Sequence, residues 1–133
     1  MPLQTKDVSV KTSVKRNSSE HAMLIVSLNI PAQCHIESHN PAKPFMIPTE
    51  LKLQESADFS IESVEYPPSE QRKLTFSKDI LDVYSGTVAI RAKIVISNRK
   101  NPCMIKGTLR YQVCTETVCM MPKSQELAWE IVL

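Results

Sequence analysis

The chain has 133 residues, of which 42% are hydrophobic and 23% charged, and its formal net charge is +2. This length suffices for one domain with its own core and is short for two, so we expect a single domain over residues 1–133. The 16 basic and 14 acidic residues are scattered, which excludes the clustered positive charge that nucleic acid binding requires. No apolar run approaches the ~20 residues that span a membrane, and no signal peptide is visible.

Apolar and polar residues alternate along most of the chain, as they do in half-buried β-strands. The alternating segments are 8–14, 22–30, 59–61, 88–96, 105–113 and 127–133. Nine prolines fall at segment ends, which argues against long helices because proline lacks the backbone donor that a helix needs. About eight short strands with these breaks predict an all-β fold, an antiparallel β-sandwich.

Two of the four cysteines are close in sequence and follow a predicted strand. Cys114 ends that strand, and Cys119 follows the polar loop 115–118. A strand, a tight loop and a second strand can bring the two Cβ atoms to the ~4 Å that a disulfide needs. The spacing leaves three uses open: thiol–disulfide exchange, a structural staple of the hairpin, and metal binding. So short a loop stabilises a fold by only about 2 kcal/mol in the chain-entropy model, and pairs in short exposed loops are the kind used for exchange.

The metal alternative depends on soft ligands around this pair. Cys114 and Cys119, with Met120 and Met121 after them, would suit Cu(I), and His35 would join them if the fold brings it near. The methionines could equally fill gaps in the core or shield the cysteines. The leading interpretation requires no metal and no other cofactor, because a dithiol carries two electrons by itself. His21 and His39 are expected at the surface.

The other two cysteines, Cys34 and Cys103, are far apart in sequence. If they pair, the long closed loop makes the bridge a structural one that contributes roughly 4 kcal/mol. If they do not pair, they are two buried thiols that behave as small apolar residues. Both alternatives stay open at this point.

The segment 111–122, Tyr-Gln-Val-Cys-Thr-Glu-Thr-Val-Cys-Met-Met-Pro, resembles the signature of a known family. That family is the N-terminal periplasmic domain of the thiol:disulfide interchange protein DsbD. Segments 35–41, 47–51, 66–67 and 83–86 resemble further motifs of the family in the same order. The resemblance therefore extends from about Cys34 to Pro122.

The resemblance implies an immunoglobulin-like β-sandwich in the periplasm that acts as a protein-disulfide reductase. A thioredoxin-like domain would donate electrons, and periplasmic disulfide isomerases or cytochrome-maturation thioredoxins would accept them. Cys119 would form the mixed disulfides and Cys114 would resolve them. We expect a monomer, connected to a membrane only through a segment downstream of Leu133, as in an N-terminal domain of an inner-membrane protein.

The family also shields its cysteine pair with a loop that carries an aromatic residue. Phe76 is the candidate for that position here, and Tyr111 and Met120 are further candidates for shielding the pair. The alternative function is a non-enzymatic, immunoglobulin-like binding module with structural disulfides or a Cu(I) site. The three-residue constellations of hydrolases and the glycine-rich loops of nucleotide-binding proteins are absent from the sequence.

Overall fold

The computed structural model describes residues 7–43, 46–73, 80–97 and 102–132. These residues form eleven β-strands and, within the same ranges, no helix. The strands are β1 (Ser9–Arg16), β2 (His21–Asn29), β3 (His35–Glu37), β4 (Glu50–Leu53), β5 (Phe59–Glu65), β6 (Glu70–Lys73), β7 (Ile80–Tyr84), β8 (Thr87–Ile96), β9 (Cys103–Tyr111), β10 (Val113–Cys114) and β11 (Lys123–Ile131). Every pairing between them is antiparallel. The predicted all-β fold is confirmed.

The first layer is a sheet with the strand order β1-β2-β8-β5. Strand β2 buries every second residue, and its partner β8 does the same from Ile90 onward. The register places Val26 opposite Ile90 and Leu24 opposite Ala92, so the apolar side chains of both strands share one face. Burial of each large side chain of this kind stabilises the fold by about 1.5–3 kcal/mol. The strands predicted at 22–30 and 88–96 are therefore present, and β8 turns its predicted face inward from Ile90 onward.

The second layer consists of two sheets, with the orders β11-β9-β4 and β10-β3-β7-β6. Strand β9 leads into β10 with only Gln112 between them. Inward residues of β9 and β11 join those of the first layer in one hydrophobic cluster, hereafter the main core. Gly107 in β9 allows a close approach of β4, since a Cβ atom there would lie 2.9 Å from the backbone oxygen of Lys52.

The structure has eleven strands among the described residues, more than the eight or so predicted from the sequence. Strands β3, β4, β6 and β7 have three to five residues each, too few for alternation to be recognised. The predicted strand 105–113 is interrupted at Gln112. Ile61, predicted to face inward with Phe59, is 42% exposed because the pairing of β5 with β8 shifts register between Ile61 and Ser63.

The sheet β10-β3-β7-β6 is buried on both faces near its β10 edge. One face carries Val113, Ile36 and Tyr84, which are register partners and belong to the main core. The opposite face contributes Leu81 and Val83 to a second, smaller cluster. Alternation along β10 turns Cys114 away from the face that Val113 occupies. This second face of the sheet therefore holds the first cysteine of the predicted pair.

Candidate functional site

A disulfide joins Cys114 and Cys119, with the two Cα atoms 4.0 Å apart. Cys114 is the last residue of β10 and is only 2% exposed, whereas Cys119 lies beyond the loop and is exposed. One sulfur is thus held in a buried strand while the residue that carries the other faces solvent. This difference in exposure agrees with the sequence-based expectation, and the chemical roles of the two cysteines remain predictions.

The loop 115–118 is a tight turn closed by its first residue. The backbone N–H of Thr115 donates to the carbonyl oxygen of Val118 at 2.7 Å. The hydroxyl oxygen of Thr115 accepts the backbone N–H groups of Thr117 and Val118 at 3.3 and 3.2 Å. A threonine hydroxyl that binds the backbone two and three residues ahead stabilises a turn without glycine. Thr115 therefore stabilises the turn that brings Cys119 back to Cys114.

Met120 anchors the chain immediately after the exposed cysteine. Its backbone N–H donates to the carbonyl oxygen of Val113 at 2.8 Å, and its carbonyl oxygen accepts the side-chain amide of Gln112 at 2.9 Å. Its side chain is half-buried and packs against the main core. The neighbouring Met121 is 87% exposed and Val118 is 48% exposed. In the sequence the exposed Cys119 is flanked by the apolar residues Val118 and Met120. Shielding of the pair by Met120 stays a prediction.

Of the two aromatic residues predicted to shield the pair, the structure describes Tyr111 but not Phe76. Tyr111 is fully buried and belongs to the main core, where its hydroxyl oxygen has no hydrogen-bond partner among the described residues. Burial raises the pKa of that hydroxyl. Its shielding role stays a prediction. Phe76 lies outside the described residues, so its predicted role as a cap also stays a prediction.

Cys34 and Cys103 are both buried in the main core, and no disulfide joins them. The structural bridge considered from the sequence is therefore absent, and the alternative of two buried thiols describes the structure. Cys34 precedes β3, whereas Cys103 begins β9 opposite Ile131 in a different sheet. Both pack as small apolar side chains among larger ones.

A histidine faces the buried cysteine across the sheet. Strand β10 pairs with β3 so that Cys114 lies directly opposite His35, which puts both side chains on the same face with Cβ atoms about 4.5–5.5 Å apart. His35 is 1% exposed, and neither ring nitrogen has a hydrogen-bond partner among the described residues. Glu37, two residues further along β3, shares that face and is 3% exposed. Cys114, His35 and Glu37 thus lie next to one another on one buried face of the sheet, and this group is hereafter called the buried row.

The charges of the buried row are set by burial. Burial lowers the pKa of His35, nearby Arg72 lowers it further, and Glu70 acts in the opposite direction. His35 is therefore neutral at pH 7. Burial, together with the smaller effect of the negative charge of Asp82, raises the pKa of Glu37 from 4.5 to about 7. Glu37 therefore keeps its proton to a higher pH than a solvated carboxyl does. In the sequence this row corresponds to the stretch His35–Glu37, which resembles a family motif but is too short for alternation to indicate a buried strand.

His39 was expected at the surface and is instead half-buried in a structural contact. Its ring stacks on Tyr66 with centroids 3.7 Å apart and an interplanar angle of 5°. Its Nδ1 lies 3.1 Å from the carbonyl oxygen of Thr49, and its backbone N–H donates to the hydroxyl of Tyr84 at 3.1 Å. These contacts fix the segment after β3 against Tyr84 of β7 and against the chain at Thr49 and Tyr66.

In residues 7–43, 46–73, 80–97 and 102–132, no three side chains among His, Cys, Asp and Glu are grouped as they are in a metal site. The same ranges contain no helix with the length and hydrophobicity to cross a membrane. The cysteine pair, joined as a disulfide, is the chemically reactive group that the predicted function requires.

Comparison with known proteins links this geometry to a family. The family model described as "Thiol:disulfide interchange protein DsbD, N-terminal" matches residues 2–130. The fold is similar to the N-terminal periplasmic domain of ScsB from Proteus mirabilis, with a TM-score of 0.66 and 12% identity. That match covers 99% of this chain but 51% of the ScsB domain, so this chain spans about half of its length.

The fold is also similar to the reduced N-terminal domain of DsbD from Neisseria meningitidis. That match has a TM-score of 0.55 and 15% identity, and covers 90% of this chain and 89% of the other. No curated protein sequence matches the chain. The family model covers nearly the whole chain and both structures share its fold, so this chain belongs to the family of DsbD N-terminal thiol:disulfide interchange domains.

Proposed function

We propose that this chain is a periplasmic protein-disulfide reductase module that exchanges electrons through Cys114 and Cys119. A thioredoxin-like domain donates the electrons, and periplasmic disulfide isomerases or cytochrome-maturation thioredoxins accept them. The observation that carries the proposal is the asymmetric disulfide, with Cys114 buried and Cys119 exposed. The periplasmic domain named in the ScsB structure supports the compartment.

The asymmetry indicates which sulfur a partner meets. A thiolate of the donor attacks Sγ of Cys119, the bond between the two sulfurs breaks, and Cys114 leaves with the electron pair and takes up a proton. The product is a mixed disulfide between the donor and Cys119. The donor's second thiol then displaces Cys119, which leaves the donor oxidised and the domain reduced. Transfer to an acceptor follows the same steps in reverse.

The attacking thiolate comes from the partner in this scheme. The loop 115–118 contains no lysine, arginine or histidine, and its one charged residue is Glu116. Such a loop does not stabilise a thiolate on the domain itself. Exchange is therefore favoured with partners that bring an activated thiol, as thioredoxin-like proteins do. The exposed apolar side chains of Val118 and Met121 offer a contact surface beside Cys119.

A purely structural bridge explains the pair less well. The cysteines are five residues apart, and closing so short a loop stabilises a fold by only about 2 kcal/mol. The hairpin is also held without the bridge, by the turn at Thr115 and by the hydrogen bond from Met120 to Val113. The disulfide thus adds little to a loop that is already closed.

Equilibration of the domain with a thioredoxin or glutathione redox series tests the proposal. We expect two-electron exchange at a potential near or above that of thioredoxin, about −270 mV. The bridged fraction is read from alkylation and mass. A Cys34→Ala, Cys103→Ala variant serves as the matched control, because it assigns the signal to Cys114 and Cys119. A potential far below that of thioredoxin, without exchange, would support the structural staple instead.

A further inference from the structure

The proposed exchange creates a charge problem at the buried sulfur. Cys114 is 2% exposed, yet its sulfur must carry negative charge when the bridge opens. Its thiol must also lose a proton when the bridge closes again. Burial disfavours the thiolate relative to the thiol, because the charged form loses its hydration. Fast exchange through Cys114 therefore needs a group within the protein that takes and returns this proton.

The register supplies such a group directly opposite the sulfur. His35 is the cross-strand partner of Cys114, and both side chains are buried on the same face. Among the described residues both imidazole nitrogens lack a partner, and unpaired buried polar atoms destabilise a fold. A structural role therefore explains His35 poorly. A nitrogen that accepts the S–H of a reduced Cys114 would remove part of that penalty.

We propose that His35 accepts the proton of the Cys114 thiol when Cys114 resolves a mixed disulfide held on Cys119, and returns it when the bridge is reduced. This inference rests on the proposed function and names the base of its resolving step. In that step the Cys114 sulfur bonds to Sγ of Cys119, and the disulfide to the partner breaks. The partner leaves as a thiolate with the electron pair, while the proton moves from Cys114 to a ring nitrogen of His35. Cys114 is oxidised and the partner's sulfur is reduced.

The surroundings of His35 suit a base rather than a permanent cation. Arg72 and Glu70 of β6 act on it in opposite directions, and its burial favours the neutral ring. Glu37 lies next to it on β3, and Asp82 of β7 is close enough to Glu37 to disfavour its charge. A neutral ring has one nitrogen free to accept a proton. The carboxyl of Glu37 is a second group in the buried row that can hold the proton.

The test follows the two thiols separately with a synthetic disulfide. The reduced domain is mixed in stopped flow with bis-nitrobenzoate disulfide, which releases a coloured aryl thiolate at each step. Attack by Cys119 releases the first equivalent, and attack by Cys114 on the resulting mixed disulfide releases the second. A Cys114→Ser variant identifies the second phase because that phase is then lost. The matched control is His21→Gln, which changes an exposed histidine of β2, a strand that does not pair with β3 or β10.

In His35→Gln we expect the first phase to be unchanged and the second phase to slow about a hundredfold at pH 7. The deficit should shrink as the pH rises, because the thiol then ionises without a base. His21→Gln should keep both phases. Slowing of the second phase by tenfold or more with this pH dependence supports the proposal. Slowing of less than tenfold, or slowing that does not change with pH, overturns it.

A measurement on the native domain covers the case in which His35→Gln does not fold. The nitrogen chemical shifts of the His35 ring should differ between the oxidised and reduced domain, because a reduced Cys114 donates its S–H to the ring. Unchanged shifts would overturn the proposal. The kinetic test needs no biological partner. A native domain with two fast phases but no exchange with thioredoxin-like proteins would therefore refute the proposed function and leave the role of His35 standing.

Discussion

Cys34 and Cys103 lie among the large apolar side chains of the main core, whereas Cys114 and Cys119 close a loop at the end of β10. The first two are buried thiols that no disulfide joins. The second two form a disulfide with one exposed member. The same residue type thus serves packing in one region and chemistry in another. Access and neighbouring groups make the difference, because a sulfur exchanges only where another sulfur can reach it.

The two regions also differ in how they are charged. The main core around Cys34 and Cys103 consists of hydrophobic residues. The face that carries Cys114 holds His35 and Glu37, both buried. Substitutions around Cys34 and Cys103 should therefore change the free energy of unfolding by altering the packing. Substitutions around Cys114 should change how the free energy of unfolding depends on pH.

The largest effect on stability is expected from Glu37→Gln. Its carboxyl has a pKa of about 7 in the folded protein and 4.5 ordinarily, so the folded state binds the proton more tightly than the unfolded state. Stability from this group is complete below pH 4.5 and is lost as the pH rises through about 7, by about 3 kcal/mol in total. Glutamine has no such loss. Urea unfolding at pH 5 and pH 8 should show Glu37→Gln more stable than the native chain at pH 8 only.

His35 contributes a slope of opposite sign, since its lowered pKa means that stability increases as the pH rises towards 6.5. Both proteins contain His35, so the difference between their two curves isolates Glu37. Parallel curves for the native chain and Glu37→Gln would mean that the carboxyl is ionised in the folded protein, contrary to the expected shift.

A smaller effect is expected from the core cysteines. Cys34→Ala and Cys103→Ala each remove one heavy atom from a packed site, which should lower the free energy of unfolding by about 1 kcal/mol. Neither should alter the rate at which a thioredoxin-like protein reduces the Cys114–Cys119 bridge. Urea unfolding and an exchange assay on the same samples check this. Loss of exchange in either variant would break the separation between the two regions.

The smallest effect on stability is expected from Phe76→Ala. If Phe76 caps the cysteine pair, its removal should speed alkylation of the reduced pair by a small reagent several-fold. The free energy of unfolding should change by less than about 0.5 kcal/mol, as is usual for residues outside the core. Alkylation followed by mass spectrometry measures the rate, and Phe59→Ala is the contrasting variant because Phe59 is buried in the main core. A large loss of stability with unchanged alkylation would identify Phe76 as a core residue.

The long strands were predictable from the sequence because one of their faces is buried. Alternation in β2, β8, β9 and β11 follows the main core closely. The bridge between Cys114 and Cys119 was equally accessible to sequence reasoning, since its partners are neighbours on one hairpin. The resemblance at 111–122 then pointed to the family that the comparisons confirm.

The buried row was not predictable in the same way. His35 and Cys114 become neighbours through the pairing of β10 with β3, a register between two strands of two and three residues that leaves no periodic signal in the sequence. The stacking of His39 on Tyr66 is also a tertiary contact. Residues of this kind look like surface polar groups until the sheet is assembled, because their burial depends on distant parts of the chain.

The central claim is that Cys119 meets the partner and Cys114 resolves the product, and a trapping experiment tests it most directly. Cys114→Ser and Cys119→Ser are each incubated with a thioredoxin-like partner activated as a mixed disulfide, and the products are resolved on a non-reducing gel. Cys114→Ser should accumulate a covalent complex through its exposed thiol, whereas Cys119→Ser should trap little because Cys114 is 2% exposed. Equal trapping by both variants would contradict the assigned roles, and trapping by neither would contradict exchange through this pair.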